Sequence, residues 1–408
     1  MKIIQEVVPI LPFLNVLDRK MKKRIFFLLY SMRVGGVERA LLGLLSIIPL
    51  DKYEVHVGLF RKEGEFFDFL PKGVIVHEIN CYEKNWQLIQ NPPMIGIKRL
   101  IRQGNLIEAF VQLLIYIQYK IVPDRYWFYK YIIRKEPSLS YVFDLAISFA
   151  GPSSMIDYFV CEKVIAKKKC GWIHFDVSQI NIDKRVIERL YKKFEKIFIV
   201  SETGKEIFDE KFPQFADKTE LFHNVVMQEQ ILSMADKAPT FNDHFDGKRI
   251  LTVGRLSEEK GQRFAIDALK ILLNKGHNVK WYFVGEGYDR DCCEQLAAKY
   301  GINDKVEYLG LQTNPYGYMR DCDVYVQPSR HEGFCITLAE ALCFGNPIVA
   351  TNFTGAQEQL QNRQNGVVVG MSARDISDGV IRAMEMELED GFQERSINDL
   401  SKLLELIK

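Results

Sequence analysis

Twelve short apolar runs recur along the chain, separated by helix-like segments, and they leave few folds open. The first six are RIFFLLYS (24–31), EVHVGLF (54–60), GVIVHEI (73–79), DLAISF (144–149), KCGWIHF (169–175) and KIFIVS (196–201). The second six are KRILTVG (248–254), VKWYFVG (279–285), KVEYLG (305–310), DVYVQPS (323–329), PIVAT (347–351) and GVVVG (366–370). Near-continuous Val, Ile, Phe and Leu marks strands buried on both faces. Alternation with helices then predicts parallel α/β sheets. At 408 residues the chain exceeds what one hydrophobic core usually supports, so two doubly wound, Rossmann-like domains are expected.

The spacing predicts a first domain over 21–232, with a mostly helical insertion near 81–140, and a second over 233–385. A closing helix is expected over 386–408, with SARDISDGVIRAMEME and SINDLSKLLELI both reading as helices. The stretch 1–20 reads equally as an extension, an appended helix or a product of the chosen start codon: Glu6, Asp18 and its prolines make it a poor secretory signal, and a second start-like stretch opens at Met21. Lys plus Arg number 54 against 53 Asp plus Glu, which argues against nucleic acid as a partner. Eight scattered cysteines form no C-x-x-C pair and suggest a reducing, cytoplasmic setting. No apolar run is long enough to span a bilayer. The closest, LIEAFVQLLIYIQYKIV (106–122), lies among Lys98, Arg99, Arg102, Arg125, Lys130, Arg134 and Lys135. That basic, aromatic region fits either a surface resting on an anionic membrane or an ordinary insertion with a solvated basic face.

Open α/β sheets bind ligands beyond the carboxyl ends of their strands, so the loops there carry the chemistry. After the first strand, Gly35 and Gly36 precede an apolar-periodic helix; such a pair admits an anion to the helix start, and a tight turn needs glycine in any case. After the first strand of the second half, Gly254 is followed by Arg255 and Lys260, two cations suited to a diphosphate or to their neighbours Glu258 and Glu259. In SRHEGFCITLAEAL, Glu332 falls in a loop and Glu340 inside the following helix. The amides of Cys335, Ile336 and Thr337 lie between them, at the helix start. Paired carboxylate oxygens suit vicinal hydroxyls of a ribose or hexose, although a first-turn acid also serves the helix dipole. FVGEGYDR supplies G-x-G without the rest of a dinucleotide fingerprint and reads as a turn beside a base. The acidic pair Asp321 and Asp323 precedes a buried strand and reads as capping rather than as a metal site. His174 ends a strand facing the cleft; His223 reads as structural, and His331 as near the ligand.

In order, RVGGVER, WIHFD, VSETGKE, HNVV, VGRLSEEKG, FVGEG, VEYLG and DVYVQPSRHEGFCITLAEAL resemble glycosyltransferase family 4, retaining enzymes of the GT-B fold. The resemblance runs from about Met21 to near the end, and its most specific element is E-x7-E, Glu332 to Glu340. It implies two Rossmann-like domains facing across a cleft, with C-terminal helices packing back toward the first. It places Gly35 and Gly36 near the donor phosphates and transferred sugar, and Arg255 and Lys260 on the diphosphate. Glu332 falls on the donor sugar, Glu340 on the ribose hydroxyls, and the amides from Phe334 through Cys335 and Ile336 to Thr337 on sugar and phosphate. His174 falls beside the reacting sugar, and base contacts near Gly285–Gly287 and Leu309. Cys335 departs from the glycine or other small residue usual there. The implied activity is retaining transfer from a UDP- or GDP-sugar to a glycan or lipid-linked acceptor, in bacterial surface polysaccharide synthesis, with no metal or other cofactor. A nucleotide-sugar epimerase of similar build and a non-catalytic sugar-nucleotide-binding protein are the alternatives.

Overall fold

A computed structural model describes residues 22–85, 89, 91–152, 154–179, 182–361, 363–386 and 399–407. The expected extension at 1–20 and residues 387–398 of the expected closing region lie outside the described residues. Every one of the twelve apolar runs contains a strand. The first sheet comprises β1 Lys23–Leu29, β2 Tyr53–Leu59, β3 Ile75–Glu78, β4 Val142–Gly151, β5 Ile165–Ile173, β6 Lys196–Ile199 and β7 Thr219–Leu221. It is ordered β3-β2-β1-β4-β5-β6-β7. The second comprises β8 Lys248–Val253, β9 Val279–Val284, β10 Val306–Tyr308, β11 Val324–Gln327, β12 Ile348–Thr351 and β13 Gly366–Val369, ordered β10-β9-β8-β11-β12-β13. All pairings are parallel. β7 was not among the predicted runs, because the edge strand Thr-Glu-Leu carries no apolar run.

The central strands are apolar on both faces because helices cover both. Ile25 to Leu29 are fully buried, with the helix Gly36–Ile47 on one side and Ser154–Glu162 on the other. In each sheet the chain first winds one way from the central strand and then the other, so the order reverses between β1 and β4 and between β8 and β11. A crevice opens at each such reversal, outside the strand ends.

The C-terminal region divides. The helix Ala373–Ala383 stays on the second sheet and packs beside Gln262–Asn274. Among the described residues of this region, the helix Leu400–Glu405 returns to the first domain, where Lys402 Nζ donates to the Leu221 carbonyl at 2.7 Å. Leu403 and Ile407 join a core cluster that runs through both domains.

A charged clasp holds this return. His223, just beyond β7, lies 2.9 Å from Glu358 of the second domain and 3.3 Å from Asp399 at the start of the C-terminal helix. Asp399 also pairs with Lys402 at 2.6 Å. The bonds to Asp399 and Glu358 outweigh burial and raise the His223 pKa from 6.5 to about 9. A raised folded-state pKa adds stability that is complete below about pH 6.5 and lost as pH rises through about 9. The melting temperature of the wild type should therefore fall more steeply between pH 7 and 10 than that of His223→Gln. Parallel curves would remove the clasp from the stability of the fold.

Candidate active site

The loops after β1, β4, β8 and β11, the strands flanking both reversals, all reach one interdomain cavity of about 690 Å3. This convergence follows from topology, since both sheets present their carboxyl ends to the same space. Gly36 approaches Ile336 of the opposite domain closely enough that a Cβ would sit 3.6 Å from the Ile336 Cγ2. Gly333 lies still closer: its Cβ would fall 1.9 Å from the His174 carbonyl oxygen. Any side chain there would push the domains apart. Ser201 Oγ donates to the Gly333 carbonyl at 2.9 Å, and Thr354 Oγ1 to Asp176 at 2.6 Å, fixing the same seam.

The second domain supplies the charges. Lys260 Nζ and Glu332 Oε1 form an ion pair at 2.5 Å, and Ser329 Oγ donates to the same carboxylate at 2.8 Å. Burial works against the Lys260 charge, yet Glu332 more than offsets it and the lysine pKa is raised. Arg255 is exposed at the cleft wall, its carbonyl accepting from Gln262 Nε2 at 2.9 Å. Gly254 and Gly285 take φ of 159° and 136°, and a Cβ on Gly285 would meet the Gly254 carbonyl at 2.1 Å. Both glycines line the cavity, as do Phe334, Cys335, Ile336 and Thr337.

Cys335 has φ 65°, ψ 78°, the left-handed region, immediately before the helix Ile336–Ala341. A side chain there costs about 1–2 kcal/mol, which explains why the backbone favours glycine at this point. Burial pushes the Cys335 thiol pKa well up, so it is a neutral thiol and no ready nucleophile.

Glu340 is 2% exposed and lies one turn into that helix. Its Oε1 accepts from Tyr316 Oη at 2.7 Å and pairs with Arg39 Nε at 3.2 Å. Arg39 belongs to the helix Gly36–Ile47 of the first domain and also donates to Tyr316 Oη and the Thr313 carbonyl. Burial opposes the Arg39 charge and Glu340 restores it, leaving its pKa raised. The cleft therefore closes over a buried charge pair in which Glu340 Oε1 takes the contacts from both Arg39 and Tyr316.

Facing these, His174 is almost buried and its Nε2 has no partner. Burial lowers its pKa to about 3, against a bond to the Phe149 backbone, so the ring is neutral at physiological pH. That bond occupies the other ring nitrogen, so Nε2 is a buried acceptor on a residue that lines the cavity. Glu38 stands in the first turn of the helix Gly36–Ile47 and also lines the cavity. Burial raises its pKa to about 7, with a bond to its own backbone and the Arg255 charge acting the other way.

Gly35, Gly36, His174, Gly254, Arg255, Lys260, Gly285, Glu332, Glu340 and the Phe334–Thr337 stretch are thus brought together. Leu309 is not among the lining residues: it packs against the core, and Leu311 and Gln312 reach the cavity instead. His331 lies on the wall, while His223 serves the clasp. Asp323 accepts from the Arg249 amide and pairs with Lys248; Asp321 binds Thr240 and Arg320. Both stand before β11, at the amino end of a central strand, and neither lines the cavity. The sequence reasoning did not single out Glu38, Arg39 or Tyr316. The first two sit in RVGGVER itself, but only contact with the opposite domain reveals them.

Two parallel, doubly wound domains that face each other across a cleft at their carboxyl ends define the GT-B architecture. Residues 237–399 match the family described as Glycosyl transferases group 1. An uncharacterized glycosyltransferase of Methanocaldococcus jannaschii is 28% identical over 187 residues, 43% of this chain and 45% of its own length. The N-acetylgalactosamine-N,N'-diacetylbacillosaminyl-diphospho-undecaprenol 4-alpha-N-acetylgalactosaminyltransferase of Campylobacter jejuni is 26% identical over 374 residues, 89% of both chains. Among solved structures, Anabaena Alr3699/HepE in complex with UDP shares the fold, with a TM-score of 0.58 at 19% identity over 94% of both chains.

The left-handed backbone at Cys335 yields a direct test. Cys335→Gly should keep or raise the melting temperature, whereas Cys335→Val should lower stability by about 1–2 kcal/mol. A valine variant more stable than the glycine variant in thermal denaturation would refute the backbone argument.

Proposed function

We propose that this protein is a retaining, metal-independent glycosyltransferase that moves a sugar from a UDP- or GDP-sugar to a lipid-linked glycan, in bacterial surface polysaccharide synthesis at the cytoplasmic face of the membrane. The observation that carries it is the single wall on which Arg255, the Lys260–Glu332 pair and Glu340 stand, opposite the unpartnered Nε2 of His174. The match to Glycosyl transferases group 1 and the Campylobacter relative, whose name specifies a diphospho-undecaprenol acceptor, support the same reading.

In this mechanism Arg255 and Lys260 neutralise the departing diphosphate, an electrostatic stabilisation of developing charge. Glu332 orients Lys260 and accepts from a hydroxyl of the donor sugar. Glu340 holds the ribose with the oxygen that Arg39 and Tyr316 leave to it. Neutral His174 accepts a sugar hydroxyl at Nε2. The acceptor hydroxyl attacks from the face the diphosphate leaves, and a donor phosphate oxygen takes its proton. No covalent glycosyl-enzyme is invoked, and Cys335, held as a neutral thiol, is no candidate for one.

Screening UDP-, GDP- and ADP-sugars for thermal stabilisation and turnover tests the donor class. An inverted anomer in the product would overturn the mechanism, and conversion of the donor without acceptor would favour an epimerase. Lys260→Ala should lower kcat at least ~100-fold, the scale of losing one preorganised charge contact, while the fold persists. Transfer by that variant close to wild type would sink the role. Glu38 adds a pH signature, because above about pH 7 it places a negative charge in the cavity that receives the diphosphate. Affinity for the nucleotide sugar should fall as pH rises through 7, and Glu38→Gln should flatten that dependence in calorimetric titrations.

A further inference from the structure

The helix Leu106–Ile121 carries apolar residues outward as well as inward. Amphipathic surface helices turn their apolar stripe to the core. Here the inward side holds Ile115 against the core together with two polar anchors: Gln112 Nε2 donates to Tyr131 Oη at 3.0 Å, and Glu108 pairs with Arg134 at 2.7 Å. Ala109 is the one buried residue of this helix. Ile107, Phe110, Leu114, Ile117 and Ile121 recur every three or four residues along the outer side and are all exposed, Ile107 at 81% and Ile121 at 75%. Ile95 and Ile101 of the neighbouring helix Pro93–Arg102 and Trp127 of the helix Tyr126–Ile133 extend the patch. Contiguous apolar surface of this extent marks an interaction site.

Charge decides what covers it. Between Pro93 and Ile133 there are six Lys or Arg against two Asp or Glu, in a chain whose total is only +1. Both acids are already paired: Glu108 with Arg134, and buried Asp124 with Arg189 at 2.9 Å. Lys120, Arg125 and Lys130 lie over the rings of Tyr116, Tyr119 and Trp127 at 4.8–5.7 Å. Cations stacked on Tyr and Trp beside an apolar stripe suit the headgroup layer, where long stems lie along apolar surface and charges reach phosphate. A second copy of this chain would set one basic face against another, which repels. No described helix is long and apolar enough to cross a membrane.

We infer that the outer face of the helix Leu106–Ile121, with Ile95, Ile101 and Trp127, docks in the plane of an anionic lipid bilayer. The inference deepens the proposed use of a lipid-linked acceptor: it names the surface that would bring the first domain to the membrane. It rests on that reading only for its purpose, since docking requires neither donor nor transfer.

Cosedimentation of the full chain with phosphatidylcholine vesicles, with and without about 30% phosphatidylglycerol, tests it. Binding should need the anionic lipid and fall as salt rises toward about 0.5 M. Ile107→Ser with Phe110→Ser should weaken binding at least ~10-fold. Lys98→Ala and Arg102→Ala should each weaken it about fivefold. All four residues are exposed, so thermal stability and nucleotide-sugar turnover with a water-soluble acceptor should be unchanged. Absence of binding to anionic vesicles, or equal binding to neutral ones, would overturn the inference. So would a dimer in sedimentation velocity that the Ser pair dissolves, or vesicle binding that appears only after removal of residues 1–20; these assign the face to a second copy or to the chain's own segment. Failure here with intact transfer leaves the transferase reading standing, and vesicle binding without any transfer does the reverse.

Discussion

A carboxylate taken out of water must find a counter-charge, and Glu340 finds it in the other domain. Losing hydration costs several kcal/mol per ion, which only well-made contacts offset. Arg39 and Tyr316 make those contacts, and Arg39 is anchored further by the Thr313 carbonyl. Partnering of the charge and approach of the two domains are therefore one event. The rest of the cleft depends on that approach: Gly333 can lie against the His174 carbonyl because the seam is already drawn together.

Within the closed cleft, position sets the role of each ionisable group. Lys260 keeps its charge because Glu332 touches it, despite burial. His174 loses its charge because nothing acidic compensates its burial, and the result is a neutral ring with an unpartnered nitrogen on a residue that lines the cavity. Glu38, under the opposing pulls of burial and Arg255, sits near the middle of the physiological range. The second-domain wall thus carries fixed charges, Arg255 and the Lys260–Glu332 pair among them, while the His174 ring on the first-domain wall is neutral. That asymmetry suits an anionic leaving group on one side and a hydroxyl-bearing sugar on the other.

The same accounting applied outward explains the helical insertion. Its polar residues are spent on internal bonds to Tyr131 and Arg134, which leaves the apolar stripe and the basic residues turned outward. In sequence the segment fits two readings equally, because periodicity shows that a helix is amphipathic and not which side meets the protein.

Much of the architecture was legible from local pattern alone. Apolar runs flanked by helices specify buried parallel strands, since no other element can hide both faces, and every run predicted as a strand contains one. The edge strand β7 escaped because Thr219–Leu221 needs only one partner and carries no apolar run. Loop motifs showed where charge and glycine cluster, and so pointed to Arg255, Lys260, Glu332 and Glu340. Tertiary structure alone decided that Arg39 partners Glu340, that Gly333 abuts His174, and that Leu311 rather than Leu309 meets the cavity. These are contacts between loops far apart in the chain, produced by strand order and domain closure. Sequence determines which groups must be satisfied; only the folded cleft determines by which partner, because desolvation is set by what lies opposite in space.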